Sequence, residues 1–505
     1  MRDCELSKDV RPRTRREEGI AVLIALIALS LFSLFGLYMT VNATTELRMS
    51  DNYETHVAAL YAAKAGLSHT RELLKGIQFN DLLKGPDGTH DTSVTYLAQA
   101  RLYSFRNPIS LAQARALDIL SPSATLSGIA DDGLISTGKN GSNNGTPLVP
   151  LDGIALTVPN PYGSGTITTG RYFVKVTDNN GEARELAGDV LNDPFIDGDG
   201  EIIVRSLGIA QTIREGTTSG VVRANSVAVL EARFRLAQQF NLNSPFVVEG
   251  NTVQPASSNM FSGNSFLIDG LSSNFGVSTI DTNLADSVTP YADIYNSLAT
   301  NQRNKIRGVG STPSMTDITT AVSTDVDKSK LLDPNYLYNF ATNLAPTFAD
   351  NVYQGPLKIT SSNSNTFDLG NYDYSKPYND PSQRPVTTIV QGDLEIGSSG
   401  VHGGGVLIVT GKLSGNGSLS YDGLILVIGE GYTDLSGVNV SIHGGIYTVN
   451  VKPNGAGVPV FGTTKISLGG NSDVIFDSST INMGVSRLPA SQRGVREVLS
   501  AQDPS

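Results

Sequence analysis

The sequence predicts an α+β protein. A long N-terminal helix, half transmembrane and half exposed, packs on a small antiparallel sheet. A β-rich C-terminal domain follows, read as a short β-solenoid. Three observations carry this. Ile20 to Val41 runs without a charged residue. A helix-prone pattern without proline then continues to about residue 75. Only 17% of the chain is charged, against a usual ~25%, and 52 of its 505 residues are glycine, which suits short strands joined by tight turns.

Composition also excludes. A net charge of −11 argues against nucleic-acid binding through a basic surface. Cys4 is the single cysteine, so no intramolecular disulfide and no cysteine-built zinc site can form. No lipobox of small residues precedes Cys4, which reads as a chance cysteine.

The first element is the most informative. Residues 1–19 are polar, with six Lys/Arg against five acids. The uncharged run of 22 residues that follows would span about 33 Å as a helix, enough for a ~30 Å hydrocarbon core. It is too long for the apolar part of a signal peptide. Basic residues lie before it and a net acidic stretch (Glu46, Arg48, Asp51, Glu54) after it. The positive-inside bias therefore places 1–19 in the cytoplasm and everything past about 42 outside. A helix over 20–75 would be about 84 Å long, with 20–41 in the membrane. Its lower half, Ala58 to Leu67, is small-faced and suits close packing. Gly36 marks a place where local loosening would be tolerated. A plain membrane anchor would account for the apolar run alone. Arg15-Arg16-Glu17-Glu18-Gly19 against that run is a sharper feature.

Gly19 followed by Ile20 resembles the type III signal of type IV pilins. Glu18 to Leu26, Glu46 to Asn52 and Ala62 to Leu67 together resemble the N-terminal domain of PilX-type minor pilins. The resemblance covers about residues 15–75. It implies cleavage after Gly19 by a prepilin peptidase and residence in the inner membrane before assembly. Its implied partners are other pilins and minor pilins, met through the N-terminal helix, with final placement in a pilus or at the cell surface. Two positions depart from the pattern. Ile24 stands where major pilins carry a glutamate, and Lys64 where an acid is usual. In major pilins that glutamate is thought to neutralise a neighbour's free amine within the apolar filament core. An unpaired charge at that depth costs a few kcal/mol. Ile24 cannot supply the pairing, so a tip or initiating position is expected.

The exported part reads as two β-built blocks. Residues 76–237 are a pilin-like α+β unit. Short helices are expected over 93–103 and 111–120, a linker over 126–144, and strands over 170–177, 201–207 and 221–236. Asp178 to Gly181 is expected to form a turn. Asp193, Asp197 and Asp199, with glycines between, resemble the start of a calcium loop, since hard cations want several oxygens on a tight turn. The remaining EF-hand positions are absent, so the preferred reading is a β-turn and no bound cofactor.

Residues 238–490 are expected to be β-rich, with helices over 291–306 and 334–353. Apolar strands recur near the end, and Gly392, Gly411 and Gly429 lie 19 and 18 residues apart. One strand and one glycine corner per turn is what stacked coils need. Residues 251–267 suggest an earlier coil, which makes about 265–385 an insertion. A β-sandwich would also fit so few repeats. Residues 491–505 read as a tail.

No catalytic constellation stands out among His56, His69, His90, His402 and His443, and no nucleotide, metalloprotease or serine-hydrolase motif occurs. The acids and lysine on the coil strands (Asp393, Glu395, Lys412, Glu430) are too sparse to name an acid–base pair. The expectation is a non-catalytic minor pilin acting in filament initiation or at the tip. A pilus-associated adhesin and a membrane-anchored solenoid enzyme acting on carbohydrate are the alternatives.

Overall fold

The computed structural model describes residues 15–74, 79–83, 108–119, 153–160, 164–179, 197, 200–211 and, with short gaps, 225–498. Helix α1 (Arg15–Leu73) is one continuous element of 59 residues, about 88 Å long. The helix runs through Gly36 without a break, and Thr40 Oγ1 donates to the Gly36 carbonyl at 2.8 Å. An interior glycine costs a helix only about 1 kcal/mol, too little to break one this long.

Four strands follow: β1 (Ile154–Pro159), β2 (Thr166–Asp178), β3 (Glu201–Ala210) and β4 (Ser226–Arg235). Beyond them come β5 (Phe246–Gly250), β6 (Val253–Pro255), β7 (Phe261–Ser262), β8 (Leu267–Asp269), β9 (Val277–Asp281), β10 (Ile306–Arg307) and β11 (Met315–Asp317). A largely helical segment over 319–348 leads to β12 (Asn351–Gln354), β13 (Leu357–Ile359), β14 (Val386–Gln391), β15 (Leu394–Ile396), β16 (Gly400–Val409) and β17 (Lys412–Gly415). Then come β18 (Ser418–Gly429), β19 (Tyr432–Leu435), β20 (Asn439–Pro453), β21 (Pro459–Phe461), β22 (Thr464–Gly469), β23 (Ser472–Ile475), a helix over Ser478–Arg487 and β24 (Ser491–Glu497).

The first sheet is antiparallel, in the order β1-β2-β3-β4-β24. Helix α1 lies on it through its small face. Ala59, Ala62 and Ala63 are fully buried there. Gly208 of β3 sits directly under the helix backbone, where a Cβ would overlap the Ala59 carbonyl and the Ala63 nitrogen. The small residues of 58–67 are thus spent on the protein's own sheet. Ser110 caps the short helix Leu111–Ala116 in a capping box with Gln113, four residues shorter than expected. The helix expected over 93–103 and the 126–144 linker lie outside the described residues.

The remaining strands pair in parallel, except β21, which lies antiparallel to β20. One row runs β12-β14-β16-β18-β20-β5-β9-β11. A second runs β13-β15-β17-β19-β22-β6. The first halves of β16, β18 and β20 continue through β23 and β8 to β10. The order in space is not the order in sequence. The chain enters beside β20 at β5, runs out to β11 at one edge, and crosses over 319–348 to β12 at the other. It then winds back until β20 meets β5.

Three expectations are corrected by this arrangement. Residues 265–385 are not an insertion outside the stacked strands, because β8 to β13 are members of the rows. The helix expected over 334–353 stops at Phe348, and Asn351–Gln354 is a strand. The tail expected over 491–505 begins as a strand: Ser491 to Glu497 pair with β4, Ser491 opposite Arg235, and residues 499–505 lie outside the described residues. The whole of 238–490 is therefore inserted between two neighbouring strands of the first sheet. Only Val495 of that last strand is a large apolar residue, and the strand is mostly exposed, so nothing in its hydropathy marked it as paired.

The core explains the apolar runs. Along β18, Ile425 and Val427 face the interior with Phe246, Val248 and Val409. Leu424, Leu426 and Ile428 face outward and are covered by Leu337, Phe340 and Ile481 from the crossover and the last helix. A strand buried on both faces reads as unbroken hydrophobicity rather than alternation. Each such side chain contributes about 1.5–3 kcal/mol. The long strands bend at Gly405, Gly423 and Gly444, which are partners in register. All three have positive φ, and a Cβ on any would overlap the carbonyl of the strand before it. Gly392 and Gly429, at the far ends of β14 and β18 from this column, also have positive φ.

Gly423→Ala is expected to destabilise the parallel-stranded unit over 238–490 (the head) by at least about 2 kcal/mol, from backbone strain and the clash with Gly405. Ser420→Ala on the same strand should stay within about 0.5 kcal/mol. Denaturant unfolding of both variants checks this, and equal midpoints would refute the column's role.

Candidate assembly interface and polar sites

From Ile20 to Tyr53 almost every side chain of α1 is exposed. Ile20 is 57% and Ile24 61% accessible, with Phe32, Leu34, Leu37 and Met39 at similar or higher values. The best window has a mean hydropathy of 2.8, and none of it is buried. Among the described residues this is one helix long and apolar enough to cross a membrane. Three of its hydroxyls are satisfied locally. Ser30 donates to Ile27 O, Thr40 to Gly36 O and Thr45 to Val41 O, each at 2.8 Å. Such back-bonding gives these three donors a partner within the helix itself.

The root of the helix is tied to its sheet. His69 Nδ1 meets the Tyr172 hydroxyl at 3.0 Å, and burial pushes that hydroxyl above its ordinary pKa. His56 Nε2 lies 3.3 Å from Glu497 of β24. Lys64 is exposed, its ammonium 5.8 Å from the centre of the Tyr61 ring.

Gly19 lies within the first turns of α1. Asp197 Oδ1 accepts the Gly200 N–H at 2.8 Å, the use a tight turn makes of aspartate. Asp193, Asp199 and His90 lie outside the described residues, as do Asn180 and Gly181 of the expected turn. No group of three or more metal-ligating side chains is found among the described residues. His402 and His443 do not meet. His402 Nε2 bonds Asn371 Oδ1 at 3.2 Å, while His443 Nδ1 bonds Asp422 Oδ1 at 3.1 Å. The coil acids and lysine each have a partner. Glu395 pairs with Lys358 at 2.5 Å, Glu430 with Lys452 at 2.9 Å and Lys412 with Asp434 at 3.4 Å. Asp393 accepts the Lys412 N–H at 2.8 Å.

Four polar clusters went unread in the sequence. The Tyr374 ring stacks on His443 at 3.7 Å, and the Tyr374 N–H donates to Asp422 Oδ2 at 3.0 Å. Asp422 thus pins the segment carrying Tyr374 onto the sheet. In the first sheet Arg205 and Glu231 form a buried ion pair, extended to Arg496 of β24 at 2.7 Å. Asp327, 3% exposed, joins the crossover to both strands that flank the insertion. Arg235 lies at 2.7 Å from it and Arg493 at 2.8 Å. At the seam between β5 and β20, Glu249 is fully buried and accepts a short hydrogen bond from the Tyr447 hydroxyl. Burial pushes the Glu249 carboxyl up to about 8, with the Tyr447 bond pulling it partly back. Each cluster joins residues far apart in sequence, so no local spacing could announce it.

No family model, curated protein or solved structure matches the chain.

Glu249 makes the seam pH-dependent. Its folded pKa lies above the unfolded carboxylate value of 4.5. Its stability contribution is therefore complete below pH about 4.5 and is lost as pH rises through about 8, by about 1.4 kcal/mol per pH unit at most. Glu249→Gln keeps an acceptor for Tyr447 and should flatten this slope, leaving the variant more stable than the parent above pH about 8. Unfolding midpoints across that range decide it, and a parallel pair of curves would rule the assignment out.

Proposed function

We propose that this chain is a non-catalytic minor pilin of a type IV pilus or related pseudopilus, of the PilX-type kind. It enters the inner membrane once, with residues 1–19 in the cytoplasm and the rest outside. A prepilin peptidase cuts after Gly19. The bare half of α1 then packs among the helices of other pilins, at the start or tip of the filament. The observation that carries this reading is the division of one continuous helix. Its first half offers apolar side chains to nothing in the protein, and its second half is seated on an antiparallel sheet. A simple anchor does not need 32 further helical residues beyond Val41, nor a rigid seat for them. A subunit that must hold its head at a fixed distance and angle from a bundle of helices needs both.

Ile24 sets the position. It puts an alkyl group where a shaft subunit needs a carboxylate, so a subunit with no neighbour further out tolerates it best. The parallel stack is read here as a β-solenoid with three strands per turn, the glycine column and the Gly392 and Gly429 corners marking two of its bends. Its sequence is wound in permuted order, and it serves as the exposed head.

N-terminal sequencing of the protein from cells with and without the prepilin peptidase tests the processing. The reading expects a mature start at Ile20 only when the peptidase is present. An intact Met1 in both strains would overturn it. Immunogold labelling tests the position, with label at filament ends expected and regular label along shafts excluding the tip assignment.

A further inference from the structure

At the β11 edge of the head lies a half-open cavity of about 410 Å³. It sits between the outward face of β9, the start of the crossover and the link from β4 to β5. Its size is at the lower end of the roughly 300–1,000 Å³ common for small-molecule sites. The Ser278 side chain forms part of the lining and is 2% exposed. Among the described residues its hydroxyl makes no hydrogen bond, and neither does the Asn243 side chain. Asn243 holds a left-handed backbone, φ +45°, at the rim. Asn274 donates to Ser273 at 3.3 Å and keeps its amide oxygen for other use. Phe275 also lines it, with the apolar Ile318 and Val322. The charged members of the lining cancel: Lys328 and Asp325 lie 4.0 Å apart. Asp325 also accepts the backbone N–H groups of Asp327 and Lys328 at 2.9 and 3.0 Å.

We propose that this cavity binds a neutral sugar unit. The lining offers hydroxyl and amide groups that donate and accept without net charge, beside one aromatic ring. A ring carrying several hydroxyls supplies complementary donors and acceptors on its edge and an apolar face for Phe275. A phosphate or carboxylate ligand would face a lysine already balanced by Asp325. A purely apolar ligand would leave the buried Ser278 hydroxyl unpaired, at a cost of about 1–3 kcal/mol. The inference stands on the head alone and does not depend on filament membership.

The test uses the full chain in nanodiscs and saturation-transfer NMR with the methyl glycosides of glucose, galactose, mannose, N-acetylglucosamine and N-acetylgalactosamine. Transfer to at least one is expected. Ser278→Ala, which removes only the hydroxyl, and Asn243→Gly, which keeps the left-handed backbone, should each weaken that binding about tenfold. His443→Ala, on another face, should leave it unchanged. Near-UV circular dichroism confirms that each variant is folded. No transfer from any of the five glycosides overturns the proposal, as does binding that both cavity variants leave intact. Free glycine or inorganic phosphate binding there in place of the glycosides also overturns it.

Discussion

Backbone approaches backbone where α1 meets β3, and the fold depends on that contact. Gly208 supplies no side chain, and Ala59, Ala62 and Ala63 supply only methyl groups, so helix and strand come closer than larger residues permit. Close approach multiplies weak dispersion contacts and fixes the helix in rotation as well as in height. The apolar stripe beyond Ala58 then has one permitted azimuth relative to the sheet. A long apolar rod held this way has a fixed direction relative to the rest of the protein, whereas a flexible linker would only tether it.

The second constraint is topological. β4 and β24 are neighbours, yet about 255 residues separate them. Domain insertion is tolerated where a domain's own ends lie close together. The head meets this condition in an unusual way. Its first strand, β5, and the strand before its last helix, β23, both lie against β20. The permuted winding is what brings them there. A head wound in simple sequence order would put its ends at opposite edges of the row, too far apart to rejoin adjacent strands. Asp327 then clamps the crossover to Arg235 and Arg493, one on each side of the insertion.

How much of this was legible follows from how local each signal is. The helix was readable because charge, length and proline content are properties of one stretch, and its end at Leu73 lies within two residues of expectation. Strands β2, β3 and β4 were readable from alternation and turn residues, and the later parallel strands from apolar runs and glycine spacing. The insertion was not readable, because register partners in a parallel row carry no mark of which copy comes first. The column at Gly405, Gly423 and Gly444 was visible in the sequence as glycines 18 and 21 apart. Its meaning required knowing that the strands on either side are continuous. Strand β24 was missed because an exposed edge strand rich in Arg and Gln looks like a solvated tail. Of the predicted site residues, Ile20 and Ile24 are exposed on α1. Asp197 is engaged in a turn, which two aspartates and a glycine could not distinguish from a cation loop.

The placement of the head has a mechanical consequence. Tension applied along α1 enters the first sheet through β2, β3 and β4, which the helix touches directly. The head hangs from Arg235 and Ser491, which face each other across one pair of strands. Load between the helix and the sheet therefore does not pass through the stacked coils. Force pulling on the head arrives at two adjacent strand ends together and is shared between β4 and β24, with Asp327 bridging them. The antiparallel ladder of β3 with β4 carries the load onward to the small-residue seat of the helix. A head attached through one linker would instead concentrate the same force on a single strand and peel it from its neighbour one bond at a time. Inserting the head between two bonded strands makes the connection as strong as the sheet itself.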